Sequence, residues 1–161
     1  MLATIRELRK EELCLMPNLL YEAIYRPEGL APYPRDIISL PSIAVYISDF
    51  GKYPTDHCLL AEVDGSIAGG VWTRLLAEQT KTYVHAKADA PELAIAVFSE
   101  YRNQGVGLSL MNAMIKLLGE KGYRNVCLSV DKSNYAVGMY RKLGFKTVGT
   151  NEVDYVMELS L

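Results

Sequence analysis

Residues 2–8 alternate, with Leu2, Thr4 and Arg6 on one side and Ala3, Ile5 and Glu7 on the other, which predicts a first strand. Over residues 10–25 the apolar positions 13, 16, 20, 23 and 24 take helical spacing. Pro17 interrupts that pattern, so the helix is either kinked there or begins there. Four prolines from Pro27 to Pro41 predict an irregular stretch. A second short helix follows, with Ile43, Ile47 and Phe50 on one side and Gly51 at its end. Next, Cys58–Val63 and Ser66–Thr73 flank Asp64-Gly65, a dipeptide suited to the positive φ angles of a two-residue turn, so the segment predicts a hairpin.

Residues 77–91 are polar and read as a loop or an exposed strand end. A strand is expected at Glu92–Phe98. The helix after it spans about 105–121, with apolar positions 110, 111, 114, 117 and 118 and Gly122 as its cap. A strand at 126–130 leads to a helix over about 134–143 that Gly144 ends. Strands at about 145–149 and 153–159 close the chain. The order β-α-α-β-β-β-α-β-α-β-β contains two strand–helix–strand crossings in its C-terminal half, which predict parallel pairing there. The hairpins predict antiparallel pairing elsewhere. The expected class is α/β with a mixed sheet and helices on both faces, in one domain over residues 1–161.

Composition narrows the function more than the fold. The net charge of −2 and the scattered Lys and Arg give no basic stripe, so nucleic acid is not an expected partner. No run of 18 apolar residues suggests a membrane span, and the mixed charges from Arg6 to Glu12 do not resemble a secretory leader. Cys14, Cys58 and Cys127 are odd in number and form no C-x-x-C pair. They read as small core hydrophobes in a reducing cytoplasm. His57 and His85 stand apart and read as surface or strand-end residues. No acidic or histidine cluster has metal-ligand spacing, so no metal is expected.

The chemistry concentrates where the 92–98 strand meets the following helix. There Arg102-Asn103-Gln104-Gly105-Val106-Gly107 places two glycines at a helix start. Such a loop turns backbone N–H groups toward a concavity at the positive end of a helix dipole, which suits a phosphate or pyrophosphate. A dinucleotide fingerprint would need a third glycine, which is missing, and would follow the first strand of its unit. No G-K-[ST] follows, as a nucleotide triphosphatase loop requires. A plain glycine turn at a helix start is the remaining alternative.

A second segment follows the next strand: Asn134-Tyr135-Ala136-Val137-Gly138-Met139-Tyr140-Arg141-Lys142-Leu143-Gly144-Phe145. Together the two segments resemble the GNAT superfamily of N-acetyltransferases. The loop matches the family's R/Q-x-x-G-x-G/A pattern. The later segment matches more loosely, with Val137, beside Ala136, or Gly138 at an alanine position. The clear match covers about residues 92–145.

The resemblance implies a fold whose central parallel strands, 92–98 and 126–130, splay apart to admit coenzyme A. It implies that the N–H groups of Gln104, Gly105, Val106, Gly107 and Leu108 wrap the pyrophosphate, with Arg102 and the Ser109 hydroxyl near it. Val97 would bond the pantetheine through its backbone, and Asn134 would bond pantetheine and help open the wedge. Tyr140 would protonate the departing thiolate, as a phenol with a pKa of about 10 can do at neutral pH. Some relatives carry a glutamate base where Ser129 stands here, so Glu92 is the remaining candidate base.

The implied activity is direct transfer of an acetyl group from acetyl-CoA to a primary amine of a small molecule, peptide or protein. The alternative is a non-catalytic acyl-CoA-binding or regulatory domain on the same scaffold. The resemblance allows a homodimer. Tyr25, Tyr33, Tyr46, Phe50, Tyr53 and Trp72 could line an acceptor pocket or could simply pack.

Overall fold

Pro17 starts the first helix rather than kinking it. The computed structural model describes residues 2–76 and 86–161. Strand β1 (Thr4–Glu7) leads into a 3-10 turn at Lys10–Leu15 and then helix α1 (Met16–Ala23). A proline in the first turn removes no intrahelical hydrogen bond, because those N–H groups have no acceptor anyway. After a 3-10 turn at Arg35–Ser39, helix α2 is only Pro41–Ala44. Turns continue to Gly51, whose φ is +100°. Ile43, Ile47 and Phe50 nevertheless pack on one apolar cluster, as their spacing predicts.

Strands β2 (His57–Val63) and β3 (Ser66–Arg74) form the expected hairpin, with Asp64 at φ 49° and Gly65 at φ 82°. Then come β4 (Glu92–Val97), α3 (Val106–Glu120), β5 (Asn125–Asp131), α4 (Ala136–Lys142), β6 (Lys146–Thr150) and β7 (Asp154–Ser160). The seven strands make one mixed sheet in the order β1-β2-β3-β4-β5-β7-β6.

The second expected parallel pairing does not form. β7 lies between β5 and β6 and is antiparallel to both. Burial explains the order. Along β7, Asp154 and Val156 to Glu158 are buried, whereas β6 is mostly exposed, so β6 belongs at the edge and β7 inside.

Two apolar layers sandwich the sheet. On one face α3 and α4 contribute Val106, Leu110, Met111, Met114, Leu118, Val137 and Tyr140, packed on Leu59, Val71, Leu93, Val126 and Leu128. On the other, Met16, Leu19 and Leu20 of α1 cover Cys58, Leu60, Trp72 and Ala96. Cys58 and Cys127 are buried as expected, but Cys14 is exposed, because no residue of the 3-10 turn that carries it is buried. His57 opens β2, half-buried, with Nε2 2.9 Å from the Tyr123 hydroxyl. His85 and most of the predicted 77–91 loop lie outside the described residues.

Candidate active site

β4 and β5 are parallel neighbours that share one register pair, Glu92 with Cys127. The Cys127 N–H donates to the Pro91 carbonyl at 3.0 Å and fastens this closed end. Beyond it the strands part. Phe98 N–H donates to Ala68 O at 2.9 Å, one step past the Val97–Gly69 pair. In an antiparallel ladder successive residues turn their polar groups to opposite sides. Ala94 and Ala96 therefore bond across to β3, while the N–H and C=O groups of Ile95 and Val97 face the gap.

Likewise Lys132 N–H donates to Val153 O at 2.9 Å, so the backbone groups of Ser129 on β5 face the gap from the other side. Buried backbone groups need partners. An extended ligand with its own amides can supply them. On its other side β4 is held close to β3, since a Cβ on Gly69 would come 2.3 Å from Ala96 O.

The glycine loop stands over the open end of this gap. Gly105 precedes α3 with φ +85°, and Asn103 also has a positive φ of 58°. The first bond of the helical ladder runs from Ser109 N–H to Gly105 O at 3.0 Å. The N–H groups of Val106, Gly107 and Leu108 precede that bond and have no intrahelical acceptor. They sit at the positive end of a 15-residue helix, which favours an anion. A Cβ on Gly107 would lie 3.7 Å from Val97 Cγ2, so the loop and the end of β4 are in contact range.

The side chains of the loop are more occupied. Arg102 donates from Nε to Val97 O at 2.8 Å and pairs through Nη2 with Glu22 Oε2 at 3.1 Å. Gln104 Nε2 donates to Glu100 O at 2.9 Å. Leu108 and Ser109 are exposed.

Glu92 is 4% exposed and accepts a hydrogen bond from the Tyr46 hydroxyl. Tyr46 is itself fixed. Its carbonyl accepts from Trp72 Nε1 at 3.2 Å. Arg74 donates to the flanking carbonyls of Val45 (2.9 Å) and Ser48 (2.7 Å). The Arg74 guanidinium also makes a two-bond pair with Asp56, 2.9 Å in each arm, and both side chains are essentially buried. Burial, and then the Glu92 carboxylate, raise the Tyr46 pKa well above its usual 10, so the phenol remains a donor. Trp72 is core rather than pocket lining.

Tyr140 lies in the opposite layer, buried on α4 with its ring 5.9 Å from that of Phe145. Burial raises its pKa, and nearby Tyr135 adds to this. Asn134 Oδ1 accepts from the N–H of Ala136 at 2.9 Å, in the turn that leads into α4. Beside it, the Tyr25 hydroxyl donates to Ser133 O at 3.2 Å and joins the segment after α1 to the β5–α4 loop. Tyr33 in turn donates to Tyr25 O at 3.4 Å.

Sequence patterns missed the Arg74–Asp56 pair, whose partners lie in separate segments with no shared motif. They also missed Ser129, noted there only for what it is not. Its Oγ is the one side-chain polar atom among the described residues that is both buried and without a hydrogen-bond partner.

A mixed sheet opened between β4 and β5, under a glycine loop that starts α3, fits the match of residues 20–145 to the acetyltransferase (GNAT) family. The chain belongs to that family and is an acetyltransferase enzyme. Among its relatives is a Bacillus subtilis (strain 168) protein provisionally named a ribosomal protein bS18-alanine N-acetyltransferase. It is 33% identical over 156 residues, which is 95% of this chain and 87% of the relative. An N-alpha-acetyltransferase of Sulfurisphaera tokodaii is 35% identical over 55% of this chain and 56% of its own length. The crystal structure of PaiA N-acetyltransferase from Thermoplasma acidophilum in complex with coenzyme A superposes with a TM-score of 0.68 at 22% identity, over the whole of both chains.

Proposed function

We propose that the enzyme transfers an acetyl group from acetyl-CoA to the N-terminal α-amine of a protein, with N-terminal alanine as the first acceptor to test. The opened β4–β5 pair carries the donor half of this reading, because backbone groups that face the gap without a strand partner match the amides of a pantetheine chain. The gap, the uncapped amides at Val106 to Leu108 and the absence of a Cβ at Gly105 fit coenzyme A without any charged side chain in the cradle. The relatives from B. subtilis and S. tokodaii support the acceptor half. Free thiols at all three cysteines suit a cytoplasmic setting.

Glu92 and Tyr140 belong to opposite layers of the sheet and would serve the gap from its two sides. An α-amine has a pKa of about 8, so it arrives largely protonated at neutral pH. Glu92 takes one proton from it, directly or through a water. The freed nitrogen bonds to the thioester carbonyl carbon, and the carbon–sulfur bond breaks. Tyr140 protonates the departing sulfur and recovers the proton that the new amide nitrogen sheds. Its raised pKa keeps it in the acid form at neutral pH.

The test is acetyl-CoA with a peptide bearing a free N-terminal alanine, followed by thiol release and by a mass gain of one acetyl group on the peptide. Turnover is expected, with a large loss in Tyr140→Phe. A Tyr140→Phe enzyme with undiminished turnover would remove the acid. Acetylation of lysine side chains but not of the α-amine would replace the acceptor.

A further inference from the structure

Native proteins seldom leave a buried hydroxyl unpaired, since a serine can rotate toward almost any acceptor in reach. Ser129 Oγ is such an atom, and its place in the sheet is informative. It lies on β5 two residues beyond Cys127, the last residue paired with β4. It is therefore among the first residues whose backbone faces the gap. Strand alternation puts Val126, Leu128 and Val130 in the layer under α3 and α4. Ser129 and Cys127 point to the other layer, the one formed by α1 and the segment around Tyr46.

Glu92 is the register partner of Cys127 and shares its face with Ala94 and Ala96, which pack in that same layer. Ser129 and Glu92 thus look out on the same side of the sheet, separated along the strands by two residues, or about 6.6 Å. Ala94 lies level with Ser129 and Ala96 one step further on, so no long side chain of β4 stands beside the hydroxyl on that face. A donor lying in the gap would use the backbone groups. On the α1 side of that gap, the Ser129 hydroxyl is the polar side-chain group still without a hydrogen-bond partner among the described residues.

We infer that Ser129 is an acceptor-contacting residue whose hydroxyl accepts a hydrogen bond from the incoming amino group and aims its lone pair at the thioester carbon. The inference rests on the proposed α-amine acceptor and on Glu92 serving the same face. The hydroxyl orients the amine and leaves proton removal to Glu92.

Ser129→Ala deletes a polar atom that the resting protein leaves unpaired, so its melting temperature should equal or exceed the parent's. With acetyl-CoA and the alanine-starting peptide, its kcat/KM should fall about tenfold. The calorimetric Kd for coenzyme A should not change. Ser129→Thr keeps the hydroxyl and should recover most of the loss. The inference is overturned by an unchanged kcat/KM, by a melting temperature several degrees lower, or by a coenzyme A Kd that weakens in proportion to turnover. The second result makes the hydroxyl structural, and the third assigns it to the donor. If the parent does not acetylate the peptide, the proposed acceptor fails on its own. The melting temperature and coenzyme A affinity of Ser129→Ala then still decide whether the hydroxyl is structural, donor-binding or held for another amine.

Discussion

Arg102 donates from Nε to the backbone carbonyl of Val97 at 2.8 Å, while its Nη2 pairs with Glu22 on α1. The Val97 carbonyl faces the gap and has no strand partner there. The guanidinium thus satisfies the open end of β4 and ties it to α1. The family resemblance places this arginine near the pyrophosphate, and its contacts here also give it a structural task at the end of β4. Lys shares the charge and lacks the fork. Arg102→Lys should therefore weaken coenzyme A binding nearly as much as Arg102→Ala, by about threefold to tenfold in calorimetry. Near-parental affinity in the lysine variant would show that charge alone matters.

Tyr46 holds Glu92 through its hydroxyl, and Trp72 and Arg74 fix the backbone that carries Tyr46. Tyr46→Phe removes that bond with little change in shape. Turnover should fall about tenfold with coenzyme A affinity preserved. In a Glu92→Gln background the same substitution should add little, because the two residues act as a unit. Fully additive losses in this double-mutant cycle would mean that Tyr46 works independently of Glu92.

The Arg74–Asp56 pair anchors the same segment from below. Burial alone would raise the Asp56 pKa. Hydrogen bonds from Arg74 and from the N–H groups of Tyr53 and Gly51 outweigh it and leave the pKa lowered. A lowered folded pKa means that the carboxylate's contribution is complete above its unfolded pKa of about 3.9 and is lost as pH falls through the folded value. Asp56→Asn leaves a buried guanidinium without its counter-charge and should cost about 3–5 kcal/mol in urea denaturation at neutral pH. That difference should shrink as the pH falls through the lowered folded value. A difference that stays constant into acid would rule out the ion pair as its source.

Much of the architecture was legible because each element carried its own punctuation. The Asp64-Gly65 turn, the proline at the start of α1 and the glycines at 105, 122 and 144 sit where the backbone adopts the conformations those residues favour. The placement of β7 was not legible. Sequence order alone suggests that β6 pairs with β5, and only the greater burial along β7 reverses it.

At the site, the glycine loop showed itself through residue types that few other structures need. Glu92 stood out only as a leftover carboxylate, and nothing in its neighbourhood pointed to Tyr46, which is 46 positions away. The Ser129 vacancy in hydrogen bonding had no sequence signal at all. A serine on a strand is unremarkable until its neighbours are seen to be spent.

The central claim is that the β4–β5 gap and the α3 start receive coenzyme A through backbone groups. Residue-resolved amide hydrogen exchange, with and without saturating coenzyme A, tests it most directly. Protection should rise at Ile95, Val97 and Ser129 and at Val106 to Leu108, with little change at Ala94 and Ala96, whose amides already bond to β3. Binding that leaves those gap-facing amides unprotected, or protects a different surface, would contradict the account.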